Sequence, residues 1–179
     1  MPPLGHCYWA VAPYSPRPPF RLYGEGMAPK QVASPELFVD AARKGMSEFV
    51  VLTPVKARPV LVITPVLPEY DEVLALRLLR LEKLSSDAVR QEVRDGGHPA
   101  LFHMRPERFP GLPVENAAIV TSLLRLPVEA LDRRESLGAL DENELRVIHE
   151  RVARVHGLKL DVLIFERAQA LVAKAQRKS

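Results

Sequence analysis

The residues of this chain best suited to chemistry are its arginines, and Arg58 stands out by its setting. It closes the run Lys56-Ala57-Arg58 and is followed by Pro59-Val60-Leu61-Val62-Ile63-Thr64-Pro65. A guanidinium whose charge cannot be switched off therefore sits at the mouth of an apolar run of strand length. Its planar fork binds phosphate bidentately, a geometry that lysine cannot match. The bland alternative is a polar flank that keeps a strand end in solvent. Further on, Arg77, Arg80 and Lys83 recur every three residues among leucines. If that segment is a strand, residues three apart face opposite sides, so at most one of Arg77 and Arg80 shares a groove with Arg58.

Other signatures point away from familiar enzyme chemistries. Gly24-Glu25-Gly26 starts like a dinucleotide loop, but Pro29 stands where a third glycine is needed, so it reads as a turn. There is no phosphate-binding loop, no nucleophile elbow and no paired-histidine zinc motif. His98 and His103 lie in a presumed loop at a spacing that matches no common zinc pattern, and read as solvated loop histidines. His149 flanks the apolar side of its helix and reads as a boundary residue. Cys7 is the single cysteine, which excludes an internal disulfide and fits a reducing compartment. No metal and no cofactor are expected.

The elements that must position Arg58 follow from pattern and punctuation. A chain of 179 residues with 47% hydrophobic content suffices for one compact domain. Seventeen prolines, well above the usual share of about 5%, favour short strands and turns over a helical bundle. His6 to Ala12, Phe49 to Thr53, Val60 to Ile63 and Ala117 to Leu124 read as strands, and Arg17 to Ala33 as a long loop. Ser34-Pro35-Glu36 opens a short helix that ends near Lys44. Asp141 and Glu144 form a capping-box pattern ahead of an apolar face of Leu145, Ile148, Val152 and Val155, and Gly157 ends that helix. A second helical pattern spans residues 161–175. For Val73 to Leu84, propensity favours helix. Asp95 to Pro113 is loop-like.

The net charge of +3 is carried by the tail. Residues 159–179 hold five basic and two acidic side chains, and the other 158 residues hold 20 of each. Basicity thus says little about a phosphate groove in the body. No opening segment has a basic start followed by an apolar stretch, and no apolar run approaches the ~18 residues of a membrane span. The chain is expected to be soluble and cytoplasmic, without membrane association.

Three blocks, in order, resemble the MazF/PemK family of Kid-like toxins and cover roughly half the chain. Gly5-His6-Cys7-Tyr8-Trp9-Ala10-Val11-Ala12-Pro13 is similar to the family's opening strand. Arg58-Pro59 followed by the apolar strand and Thr64-Pro65 is similar to its signature. Leu123-Leu124-Arg125, Leu140 to Leu145 and His156-Gly157-Leu158 are similar to its late strand and final helix. The resemblance implies an α+β fold, a small SH3-like β-barrel with an inserted helix and C-terminal helices. It implies a barrel domain over residues 1–158 with an inserted segment at 17–47, and a basic helical extension at 159–179.

In function, the resemblance implies a metal-independent endoribonuclease acting on single-stranded RNA, with a homodimer and an antitoxin protein as partners. It assigns catalysis to Arg58; beside it we expect Arg80 to act as a substitute charge, and Arg77, Thr121 and Ser122 to contact RNA. It also requires Val73 to Leu81 to be a strand, against helix propensity, and we side with the strand. The family's hydroxyl on that strand has no counterpart between Leu78 and Leu81, and the next hydroxyls are Ser85 and Ser86. The rival reading is a degenerate member that binds RNA or a partner protein without cutting.

Overall fold

The computed structural model describes residues 1–13, 19–24, 27–33, 36–43, 50–67 and 69–157. They fall into two compact units, one of Met1–Ala10 with the chain from Arg58 onward, the other of Val11–Ala57. The expected helix at 161–175 lies outside the described residues. In chain order the elements are β1 (His6–Pro13), β2 (Phe20–Gly24), β3 (Met27–Val32), α1 (Glu36–Arg43), β4 (Val50–Leu52), β5 (Val55–Val62) and β6 (Glu72–Arg80). There follow α2 (Asp87–Arg94), β7 (Leu101–Met104), β8 (Asn116–Pro127), β9 (Leu131–Asp132), β10 (Gly138–Ala139) and α3 (Glu142–Val155), with single 3-10 turns after β6 and β8.

The larger unit is built on a sheet in the order β10-β1-β5-β6-β8-β7, with β9 also paired to β1. The order runs open from β10 to β7, and among the described residues these end strands do not pair. Among the described residues, too, no helix is long and apolar enough to cross a membrane.

Strand β6 decides the question left by propensity. Leu74, Leu76 and Leu78 pack on one sheet face, Val73 and Ala75 on the other. A strand buried on both faces shows a near-continuous apolar run, which mimics a helix in composition. On the first face, Leu61, Leu76, Met104 and Val120 meet Ile148 and Val152 of α3. Ile148 is fully buried, worth about 1.5–3 kcal/mol for a side chain of this size. The second face carries two separate clusters. One joins Tyr8, Val60, Val62, Val73 and Leu126. The other joins Leu81, Leu101 and Ala117 to Val93 of α2.

Helix α3 begins as the capping pattern predicts. Asp141 Oδ1 accepts from the Glu144 backbone N–H at 2.9 Å, and the Asp141 N–H donates to Glu144 Oε2 at 3.0 Å. Gly157 follows the helix at φ 67°.

Two expectations need correction. The span Arg17 to Ala33 contains the β2–β3 hairpin; β3 is an edge strand with an irregular register, where Pro29 is tolerated. Residues 25 and 26 of the predicted turn lie outside the described residues. Ser86, one of the next hydroxyls after β6, caps α2 by accepting from the Val89 N–H at 3.2 Å. The loop assigned to Asp95 to Pro113 contains β7, which pairs with β8 along Leu101↔Ile119 to Met104↔Asn116.

Candidate functional site

Arg58 alternates along β5 with Val60 and Val62, which places it on the second sheet face. The β5–β6 ladder runs from Val62↔Ala75 through Leu61↔Leu76 to Val60↔Arg77. It ends where Pro59 has no N–H to give. Arg58 stands just past that end, half-buried, with its Nε withdrawn from solvent.

Arg77 faces the same side, directly opposite Val60. Its Nε is buried and has no hydrogen-bond partner, and no ion pair reaches it among the described residues. The two terminal nitrogens are likewise unpaired but keep contact with solvent. A buried donor without a partner costs about 1–3 kcal/mol, so an acceptor that reached it would be held favourably. The acceptor that suits a guanidinium is an anion.

Strand β8 bulges beside this position. Leu76 pairs with Leu123 but Leu78 with Ala118, so Arg77 stands opposite the four residues Ile119 to Ser122. Bulges bend a strand and re-aim its side chains. Thr121 is exposed and Ser122 half-buried there. The fold thus gathers Arg58, Arg77, Thr121 and Ser122 into one stretch of sheet, between the two apolar clusters of the second face.

Arg80 is not brought to this place. It alternates with Leu76 and Leu78, opposite Asn116, and pairs with Glu82 at 3.6 Å. Both side chains of that pair are 58% exposed. Of the two arginines, the one that shares a face with Arg58 is Arg77.

A second polar cluster escaped the sequence reading. Glu115 Oε1 accepts from Arg94 Nε at 2.9 Å and Oε2 from Arg94 Nη2 at 2.6 Å. Oε1 also meets His103 Nε2 at 2.8 Å. The Arg94 hydrogen bond is the chief cause holding the Glu115 carboxyl down at about 2; burial opposes it and His103 assists it. His103 is a half-buried strand residue rather than a solvated loop histidine, with its side chain 14% exposed. Glu115 lies 12 residues from His103 and 21 from Arg94, spacings that carry no motif.

Cavities lie near other described residues. One of about 610 Å³ is bordered by Pro2, Tyr8, Leu131, Asp132 and Arg133, and one of about 390 Å³ by Glu82, Arg90, Arg94 and Glu115. Neither is lined by Arg58 or Arg77. Among the described residues, no group of three or more His, Cys, Asp or Glu side chains is arranged to hold a metal.

No protein-family model matches the chain, and no curated protein matches it. Among solved structures it is similar to an endoribonuclease in complex with its cognate antitoxin from a Mycobacterial species. That likeness has 14% identity and a TM-score of 0.46, over 88% of this chain and 97% of the other. It is also similar to the Mycobacterium tuberculosis toxin MazF-mt6, at 20% identity and a TM-score of 0.43, over 58% of this chain and 90% of that one. At such identity and superposition the likeness says nothing of this chain's activity.

Proposed function

We propose that this chain is a MazF/PemK-like endoribonuclease that acts on single-stranded RNA. The observation that carries the reading is the pair of arginines on one sheet face, with Arg77 holding an unpartnered, buried Nε beside solvent-accessible terminal nitrogens. In the reaction, a ribose 2′-oxygen attacks the adjacent phosphorus and the bond to the 5′-oxygen breaks. The products are a 2′,3′-cyclic phosphate and a free 5′-hydroxyl. Negative charge grows on the non-bridging oxygens, and two fixed guanidiniums meet it there in place of a metal ion. The 2′-proton is lost to solvent and the 5′-oxygen gains one from it, with water oriented by Thr121 and Ser122. The reading brings with it closure of the sheet toward an SH3-like barrel, a homodimer and an antitoxin protein as partner.

One observation favours the rival, RNA binding without cleavage. The segment around Arg77 is a strand, and Leu78 to Leu81, where the family resemblance calls for a hydroxyl, holds none. Incubating the protein with single-stranded RNA in EDTA, beside Arg58→Ala, separates the two. The enzyme reading expects cyclic-phosphate ends from the wild type and none from the variant. Binding without cleavage supports the rival, and equal cleavage by both proteins sinks the assignment.

A further inference from the structure

The strand registers extend the arginine face toward the second polar cluster. Leu79 pairs with Ala117, and Ala117 with His103, so these three stand abreast across β6, β8 and β7. Cross-strand partners share a face, and His103 alternates with Leu101, whose cluster packs on the second face. His103 therefore lies on the same sheet face as Arg77, two strands across and two residues along, or about 12 Å at ordinary strand spacing and rise. Ala117, between Leu79 and His103, is small.

The cluster also fixes the chemistry that His103 offers. Glu115 is ionised at neutral pH and can only accept, so the ring nitrogen facing it, Nε2, carries the hydrogen. In the neutral ring Nδ1 is then a bare acceptor. It has no hydrogen-bond partner among the described residues and is not among the buried orphan atoms, so it keeps access to solvent. Arg94 holds Glu115 with two hydrogen bonds, one to Oε2 and one to the Oε1 that meets His103, which fixes the carboxylate. A histidine oriented by a carboxylate, with its acceptor atom open, can take a hydrogen bond from a ligand donor.

We propose that His103, held by Glu115 and Arg94, binds a second nucleotide of the RNA strand by accepting a hydrogen bond from a ribose 2′-hydroxyl at Nδ1. The proposal rests on the RNA reading of the arginine face and deepens it. Phosphates held by Arg58 and Arg77 carry no preference for RNA over DNA, whereas the 2′-hydroxyl distinguishes them.

The test is stopped-flow anisotropy with a fluorescein-labelled single strand, once as RNA and once as DNA of the same sequence, which reads association before any cleavage. For His103→Ala we expect about fivefold weaker RNA binding, the loss of one hydrogen bond, and unchanged DNA binding. Unchanged RNA binding, or equal loss on both strands, overturns the proposal while leaving the RNA reading in place. Failure of the wild type to bind RNA overturns both. Should His103→Ala not fold, the unmutated protein supplies the answer by nuclear magnetic resonance. The His103 ring signals then shift on saturation with RNA and not with DNA, and equal shifts with both, or none, refute the contact.

Discussion

Replacing Arg77 by methionine separates a functional arginine from a structural one. A residue kept for folding stabilises the free protein, whereas a buried donor kept for a ligand destabilises it until the ligand arrives. The Arg77 Nε is buried without a partner, but its terminal nitrogens keep their water, so one N–H is at stake. An unsatisfied buried donor costs about 1–3 kcal/mol, and the lower end applies to a single N–H. Methionine retains an unbranched apolar stem to pack beside Val60. Arg77→Met is therefore expected to stabilise the unliganded protein by about 1 kcal/mol. With a urea slope of about 1–3 kcal/mol per molar, the unfolding midpoint followed by circular dichroism rises by about 0.5 M. The same variant loses charge-assisted hydrogen bonds to phosphate worth about 1.5–3 kcal/mol, so RNA affinity falls roughly tenfold to a hundredfold. A lowered midpoint, or an unchanged RNA affinity, refutes the assignment of Arg77 to a ligand.

Other expectations concern the scaffold. Gly138 has φ 137°, and a Cβ there would lie 2.5 Å from Phe109 Cα and closer still to the Arg108 carbonyl, so Gly138→Ala should destabilise by more than about 3 kcal/mol in thermal denaturation. Asp141→Ala removes the cap of α3 and should cost about 1 kcal/mol, a fall in Tm of about 2–4 °C. The Glu115 carboxyl is depressed in the folded state from 4.5 to about 2. It contributes stability that is fully present above the unfolded value and is lost as pH falls through that window. Urea titrations at neutral pH and near pH 3 should show a smaller loss on acidification for Glu115→Gln than for the wild type.

The fold was legible in the sequence where local signals and tertiary demands agree. The Asp141 and Glu144 pair announced α3 because both halves of a capping box are local to the chain. Strand β6 was ambiguous because burial on both faces erases the two-residue alternation, and only the pairing partners β5 and β8 settle it. Strand β7 escaped notice since Leu101 to Met104 is four residues long and gains its form by lying against β8. In the candidate site, Arg58 was visible through its setting before an apolar run. The choice of Arg77 over Arg80 needed the face assignment, which follows from strand parity only once β6 is known to be a strand. The Arg94, Glu115 and His103 cluster is assembled by the sheet and α2 from distant residues, and no spacing rule reveals it.

The most direct test of the account is the single-turnover rate of RNA cleavage in EDTA for wild type, Arg58→Ala, Arg77→Ala and Arg80→Ala. Loss of a group that stabilises transition-state charge costs about a hundredfold or more in rate. The account predicts that loss for Arg58→Ala and Arg77→Ala, with Arg80→Ala within about twofold of wild type, as suits an exposed ion pair of little energetic weight. A hundredfold loss at Arg80 with full activity retained at Arg77 contradicts it.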